Sequence, residues 1–449
     1  MRIHFIGIGG ASMSALAKYL KFKGYIVTGS DKSTSTVTRE LKKYGITVFS
    51  GHKKENIIGA DVVIYSSAIP EDNEELYFAR KNKSACISRA ELLEMISSKY
   101  CQKIAVSGSH GKTTVTSLLA HILNVSETSF TAHIGGFDNV LGNLVVKGDG
   151  VFLSEVCEFK RNIEKFSPTT AVCLNIDNDH LNCYRDVSEL AQTFYTFLDK
   201  AETRIINADD GKLKYYDKSS VTFGEKSGDY TFKNYLIEGD KACFDVLLRN
   251  KKLFDVKTNY IGKYYAMNVT AAAATAFSLG ITVGDIEKGI NDFKGVKRRN
   301  EIIGQLNGWN VIGDYAHHPS EIKNFMSAFK DKKVLCVFQP HTYSRTRILF
   351  DDFVAVLSDI PNLFLYKTYS ARENYDYYGS AERLSNALYD AKYYDNFRLL
   401  YKNISEFTLN SNSNGLILVV GAGDLYDKFC NELHKEKTRE TSRVLQQNS

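Results

Sequence analysis

An α/β protein of three domains, each built on a largely parallel sheet, is what the 449-residue sequence predicts. Three observations predict it. Strand-like apolar runs alternate with helical patterns from the first residue, the rhythm of βαβ units whose helices cover both faces of a sheet. That rhythm restarts at Lys103, after the polar ISSKYCQ, and again near Trp309, after the charged GVKRRNE of residues 295–301. Length agrees, at roughly 150 residues per domain. The expected domains are residues 1–98, 99–297 and 298–449.

In chain order, IHFIGIG reads as a strand, ASMSALAKYLKFKG as a helix and YIVTGSD as a strand. A helix over Ser35 to Tyr44 follows, then the strands ITVFSG and DVVIYSSAI. The second domain opens on IAVSGSHGKTTVTSLLAHIL, a strand, a turn of small residues and a helix, and adds the apolar strands VFLSE and TAVCLNI. The third has NVIGDY, KKVLCVFQ, NLFLYK and GLILVVGAG as strands and SEIKNFMSAFK as a helix. The polar tail from Lys435 is expected to fray.

Composition narrows the function classes. Hydrophobic content of 43% with 24% charged residues is that of an ordinary globular protein. A net charge of +5 on 57 basic and 52 acidic residues is too balanced for a nucleic-acid partner, and no Lys/Arg stripe interleaved with aromatics occurs. Eight scattered cysteines form no C-x-x-C pair and no zinc spacing, which points to a reduced, cytoplasmic chain. No apolar run approaches the ~20 residues of a membrane span, so no membrane partner is expected.

Two glycine turns suggest bound phosphates, because bare N–H groups at a helix N-terminus form a ready anion site. The first, GIGGAS at residues 7–12, follows a strand and opens a helix, with Asp31 ending the next strand where an acidic residue would grip a ribose. Taken alone it reads as a dinucleotide site, or as nothing more than a tight turn. The second, SGSHGKTT, departs from the usual phosphate-loop spacing: Val106 stands where the leading glycine would fall, and the glycine is Gly108. Gly108, Ser109, His110, Gly111, Lys112, Thr113 and Thr114 still offer backbone N–H groups, a point charge at Lys112 and a magnesium-ligating hydroxyl at Thr113. The bland alternative is a threonine-capped helix with a solvated lysine. Glu155 ends one apolar strand, and another delivers Asn175 and then Asp179–His180 to the same sheet edge, where carboxylate and imidazole could hold divalent ions. An isolated Glu or His would more often be a surface charge or a core residue.

GIGGASMSALA, SGSHGKTT, the spacing from Glu155 to NIDNDH, GVKRRNE, DYAHHPSE, FQPHTYSRT and GAGD occur in the order found in the Mur ligases. The chain resembles that family over essentially its full length. The resemblance implies an N-terminal Rossmann-like domain for a UDP-sugar, a central P-loop ATPase-type domain, and a C-terminal Rossmann-like domain that closes over the active site. The implied reaction is ATP-dependent, Mg2+-assisted joining of L-alanine to the lactoyl carboxylate of UDP-N-acetylmuramate through an acyl phosphate. That reaction belongs to peptidoglycan synthesis and cell wall biogenesis, and so to cell shape and division. On this reading Gly9, Gly10, Ser12, Met13, Ser67, Ala68 and Arg89 hold the UDP-sugar, with Ser30 and Asp31 towards the uridine. Lys112 contacts the γ-phosphate, Thr113 and Glu155 hold one metal ion and His180 a second. Asn268, Arg299 and Asp314 match positions around ATP. Tyr315, His317, His341 and Arg345 line the pocket for alanine and the reacting carboxylate. The catalytic set is then Lys112, Glu155, His180, His317 and Arg345.

Departures accompany the resemblance. The family's GxHNxxN reads GKYYAMN, with Tyr264 and Tyr265 in place of the His and first Asn, and the common Phe of RRF is Asn300. No counterpart of the carbamylated lysine used by related ligases can be placed. Arg298 also reads as an exposed linker residue, and one of His317 and His318 as structural. The competing functions are a ligase that attaches a recycled tripeptide to UDP-N-acetylmuramate, and an NAD-dependent dehydrogenase resting on the first turn and Asp31 alone. A folate-type polyglutamate ligase and a non-catalytic nucleotide sensor stand further off. The oligomeric expectation is a monomer or weak homodimer. Aligning three substrates implies closure about residues 295–301. Small-angle scattering should therefore give a smaller radius of gyration with ATP and the UDP-sugar than without; an unchanged radius contradicts closure.

Overall fold

The computed structural model describes residues 1–177, 183–239 and 241–447, with side chains to residue 438. It divides into two compact units, Met1–Lys297 and Arg298–Ser449, described separately below.

The first unit holds two sheets. The N-terminal sheet has five parallel strands in the order Thr47–Ser50, Ile26–Asp31, Arg2–Ile6, Val62–Tyr65, Ala85–Ser88. Because Arg2–Ile6 is central and the next strands depart to either side of it, a crevice opens at its carboxyl end, where ligands of such sheets bind. The GIGGAS turn sits there. It opens the helix Ala11–Phe22, whose Met13, Leu16, Ala17 and Leu20 pack into the core of this sheet.

The central sheet has ten strands, in the order Lys251–Thr258, Lys241–Leu248, Tyr230–Glu238, Val221–Gly224, Thr203–Asn207, Thr170–Cys173, Gln102–Ser107, Val151–Glu155, Phe130–Asp138, Gly142–Val146. Its middle is parallel, as the apolar runs predict. Both edges are antiparallel: Phe130–Asp138 pairs with Gly142–Val146, and Tyr230–Glu238, Lys241–Leu248 and Lys251–Thr258 form a meander. Alternating polar and apolar residues in FDVLL and FDVKT on either side of the turn Arg249–Asn250 are the period-two signal of a half-exposed hairpin.

The second unit carries six strands, in the order Glu301–Leu306, Trp309–Asp314, Leu416–Val420, Val334–Phe338, Leu363–Tyr366, Lys392–Tyr394. All pairs are parallel except the Glu301–Leu306 edge. The expected frayed tail is instead part of the last helix, which runs from Leu425 to Gln447. No helix among the described residues is long and apolar enough to cross a membrane.

The helix that follows the second glycine turn, Lys112–Val125, is buried along most of its length, with Val115, Leu118, Leu119 and Ile122 fully enclosed. It is clamped between the sheet and two helices, Lys263–Ser278 and Val283–Asp292. The first of these is itself buried on nearly every side, its Ala266, Ala271, Ala272, Ala273 and Ala274 being small enough for neighbours to pack closely around it. The second approaches closely because Gly289 has no side chain: a Cβ there would lie 2.5 Å from the Ile122 Cα. Gly289→Ala should cost about 1–3 kcal/mol through overpacking. Faster amide hydrogen exchange across residues 115–123 is the expected readout, and unchanged exchange would contradict the packing argument.

Candidate active site

Two helices in the first unit open on glycine turns with N–H groups that precede the first helical bond. In the N-terminal turn Gly7 has φ +79°, and the first helical bond runs from the Ser14 N–H to the Gly10 carbonyl at 2.8 Å. The N–H groups of Ala11, Ser12 and Met13 precede that bond. Gly9 donates its N–H to Asp31 Oδ2 at 2.9 Å, so the carboxylate anticipated at a ribose anchors the turn. Ser30 is fully buried and its hydroxyl donates to Glu75, which also accepts from Asn56 at 2.7 Å and meets His52 at 3.1 Å. Burial alone would raise the Glu75 carboxyl, yet hydrogen bonds from His4, His52, Ser30 and Asn56 hold it at about 2. Met13 is buried in the core, and Ala68 is exposed in the loop after Val62–Tyr65. The Ser67 carbonyl accepts from Lys160 Nζ at 2.9 Å, and Arg89 Nη1 donates to Ser12 Oγ at 3.2 Å.

The second turn is held from below by Asn175, two residues past the end of the strand Thr170–Cys173. The Ser109 N–H donates to the Asn175 carbonyl at 3.0 Å and the His110 N–H to Asn175 Oδ1 at 2.8 Å. Asn175 Nδ2 returns a bond to the His110 carbonyl at 3.1 Å, and His110 Nε2 pairs with Asp177 at 3.0 Å. Gly108 and Gly111 have φ of +127° and +88°. A Cβ on Gly108 would press Leu174 and the Asn175 nitrogen, and one on Gly111 would lie 2.6 Å from Asn268 Oδ1. The short loop thus needs glycine at both positions and brings Asn268 against the turn. The Lys112 ammonium donates to the Gly108 carbonyl, to the Ser109 carbonyl at 3.0 Å and to buried Glu158 at 3.3 Å. The N–H groups of Lys112, Thr113 and Thr114 precede the first helical bond, from Val115 to Gly111.

Thr113 Oγ1 donates to Glu155 Oε2 at 2.7 Å. The carboxylate can lie there because the neighbouring strand carries Gly135, where a Cβ would overlap it. At Gly136 a Cβ would crowd the Thr113 methyl at 2.8 Å. A hydroxyl, a carboxylate and a row of N–H groups therefore share one sheet edge.

In the second unit Asp314 ends its strand buried, accepting from the Ala316 N–H and the Asn300 N–H, each at 2.8 Å. Arg299 lies over the Tyr315 ring at 4.9 Å, and that ring meets His317 at 5.2 Å. His317 contacts His341 ring to ring at 5.7 Å, and Arg345 Nη1 is 3.4 Å from His341 Nδ1. His317 Nδ1 bonds the Tyr315 carbonyl at 2.9 Å. These five side chains form one cluster. His318 is buried and caps the helix Pro319–Ser327. Arg298 pairs with Asp427 at 2.6 Å and stacks on Tyr426 at 4.7 Å, so it is packed and is not a bare linker residue.

Comparison with known proteins follows this geometry closely. Residues 2–100 match the Mur ligase family catalytic domain, residues 106–276 the Mur ligase middle domain, and residues 298–423 the Mur ligase glutamate ligase domain. The chain belongs to the Mur ligase family. Among Mur ligases it is 40% identical to the UDP-N-acetylmuramate–L-alanine ligase of Clostridium acetobutylicum, over 95% of this chain and 96% of that one. It is 38% identical to the ligase of the same name from Clostridium novyi, over 95% of each. The crystal structure of UDP-N-acetylmuramate-alanine ligase from Thermotoga maritima superposes with a TM-score of 0.83 at 26% identity, covering 98% of this chain and 100% of that one. A murein peptide ligase from Psychrobacter arcticus shares the fold, with a TM-score of 0.73 at 21% identity over 97% and 98% of the two chains.

The expected role of His180 falls on a residue outside those described, as does Asp179. Sequence reasoning did not single out two residues that contact these turns. Glu158, three residues after Glu155, pairs with Lys112. His133, just before the glycine pair of IGG, bonds Ser12 at 2.8 Å. Neither carries a linear signal beyond an ionisable residue in an apolar strand or next to one.

Burial raises the Asp314 carboxyl to about 6, against the opposing pull of Arg299 and two N–H donors. The folded second unit therefore holds this proton more tightly than the unfolded chain does. The stability this adds is complete below about pH 4 and is lost as pH rises through about 6, roughly 3 kcal/mol in all. Trp309, the single tryptophan, is buried in the same unit and reports its unfolding. Urea titrations followed by its fluorescence should fall in midpoint between pH 4 and 6.5, and Asp314→Asn should flatten that slope.

Proposed function

We propose that the chain is an ATP-dependent ligase that joins L-alanine to the lactoyl carboxylate of UDP-N-acetylmuramate, an amide-forming step in building peptidoglycan precursors. The identity to ligases of that name over nearly the whole chain carries the reading. The local chemistry supports it: two helix N-termini suit two different phosphate groups, which a dehydrogenase with one dinucleotide does not need. On this reading the N-terminal turn takes the UDP-sugar diphosphate and the second turn takes the ATP phosphates.

A carboxylate is a poor acyl donor, so the sugar carboxylate is first phosphorylated by ATP. The resulting acyl phosphate is then attacked by the alanine amine, and the tetrahedral adduct collapses to amide and phosphate. Such transfers depend on placement and charge neutralisation. The N–H groups from Lys112 to Thr114 orient the phosphates, and the Lys112 ammonium, stationed by Glu158 and two loop carbonyls, supplies a fixed positive charge. The Thr113 hydroxyl and the Glu155 carboxylate are hard oxygen donors 2.7 Å apart beside the loop, a set that fits Mg2+. When bound there, the ion would neutralise phosphate charge. Arg299, Tyr315, His317, His341 and Arg345 supply a guanidinium-rich, imidazole-lined cluster suited to the carboxylate of an amino acid. We take the protein to work as a cytoplasmic monomer or weak homodimer.

Phosphate release from ATP with UDP-N-acetylmuramate, measured across a panel of amino acids and the cell-wall tripeptide, tests the reading. Release should be fastest with L-alanine; a preference for the tripeptide favours the recycling ligase. Thr113→Ala and Glu155→Ala should each lower kcat by at least about a hundredfold by removing charge stabilisation of the transferring phosphoryl group. Full turnover in either variant would remove these residues from the mechanism.

A further inference from the structure

The Ser12 hydroxyl stands between two groups, the Arg89 guanidinium at 3.2 Å and the Nε2 of His133 at 2.8 Å. His133 is 1% exposed and lies on the strand Phe130–Asp138 of the central sheet, directly beside Ser154 in register. Its other nitrogen, Nδ1, is 2.9 Å from Ser154 Oγ, and that hydroxyl donates to the Glu155 carbonyl at 2.9 Å.

Proton counting fixes every direction in this chain. A carbonyl only accepts, so the Ser154 proton is committed to Glu155 and the Ser154 oxygen must accept from His133. Nδ1 then carries the imidazole proton, and Nε2, left with its lone pair, accepts from the Ser12 hydroxyl. With its own proton directed to His133, the Ser12 oxygen turns its lone pairs outward, where Arg89 donates to it. A second proton on the imidazole would place Nε2–H against that oxygen and set it competing with the guanidinium. Burial, and then the positive charge of Arg89, press the imidazole down to about 3, so the neutral form persists across ordinary pH.

We propose that His133 is a positioning residue for the sugar-nucleotide site. Buried in the central sheet, it sets the hydroxyl direction of Ser12 and, through it, the place of the Arg89 guanidinium beside the N-terminal turn. The proposal rests on the reading that this turn binds UDP-N-acetylmuramate. It also ties that turn to the strand that ends in Glu155, so the two anion sites share one rigid polar connection.

The experiment uses the full chain with four substitutions. His133→Gln places an amide oxygen within reach of Ser12, His133→Asn reaches only towards Ser154, and His133→Leu reaches neither; Ser12→Ala is the fourth. His133→Asn and His133→Leu should raise the Kd and KM for UDP-N-acetylmuramate about tenfold, the scale of one hydrogen bond to a charged group, while the KM for ATP changes less than about twofold. His133→Gln should recover most of that loss. In the Ser12→Ala background His133→Asn should add nothing, because the histidine acts through the serine. Equal losses for both co-substrates, no rescue by Gln, or additive losses in the double variant would overturn the proposal. Imidazole 15N shifts of the free protein test the connection without any substrate: a neutral Nδ1–H ring from pH 5 to 8 is expected, and the other tautomer or a titration in that range overturns it. A wild-type protein that neither binds nor turns over UDP-N-acetylmuramate would sink the ligase reading, with the 15N shifts still deciding whether the histidine sets the Ser12 proton.

Discussion

The bond from Thr113 to Glu155 is the constraint around which the first unit is arranged. It joins the first turn of a helix to the end of a strand, and both partners must remain polar and accessible in a region otherwise filled with apolar side chains. Space for it comes from the adjacent strand: with any side chain at Gly135 the carboxylate could not occupy its position, and at Gly136 the threonine methyl would be displaced. The same requirement extends outward. The loop before Thr113 needs Gly108 and Gly111 to pass Leu174 and Asn268, and the helix after it needs Gly289 opposite Ile122. Five glycines, on one strand, one loop and one helix, thus serve one approach of hydroxyl to carboxylate. Their cost in unfolded-state entropy is offset by the packing that they permit.

Buried polar groups then fix what the apolar core leaves adjustable. Hydrocarbon packing holds the helix Ala11–Phe22 on the first sheet but does not set its register against the second. Directional bonds do. Asn143 donates to the Ala11 carbonyl at 2.8 Å and to Ser14 at 2.9 Å, Lys18 reaches Asn143 at 3.0 Å, and His133 holds Ser12. Each of these groups would cost energy to bury without a partner, so a slip of the helix by even one residue would strand several at once. The Glu75 network does comparable work inside the first domain, where Ser30, His52 and Asn56 converge on one carboxylate.

The repeat of strand and helix was legible along the chain wherever both faces of a strand are covered, because such strands are continuous apolar runs. IHFI, KIAV, TAVC and LILVV all lie in parallel ladders. The edge hairpins were harder to see, since YTFKNYLIE and KACFDVLL are half polar and resemble loops when a parallel sheet is sought. The phosphate loop was legible because its residue types have few other uses together. His133, Glu158 and Glu75 were not: each is a single ionisable residue whose meaning depends on a partner 40 or more positions away in the chain, such as Ser12, Lys112 or Ser30. His318 shows the opposite case. Its place in DYAHHPSE made it a candidate beside His317, and its capping bond to the Ser320 N–H has no signal in the sequence beyond the proline that follows it.

The pair Tyr264–Tyr265, the main departure from the family pattern, divides in the same way. Tyr265 is 3% exposed and stacks with Tyr260 at 5.0 Å and with Phe293 at 6.2 Å, and those two rings also meet each other at 5.4 Å. It has become part of an aromatic wedge behind the phosphate helix, where a polar asparagine would need partners that these rings do not offer. Tyr264 packs its ring over Gly262, whose φ of +125° and missing Cβ make room for it. One helical turn before Asn268, it shares the face that meets the loop at Gly111. One tyrosine has therefore been absorbed by the core, and the other stands on the helix face of Asn268, which meets the turn at Gly111.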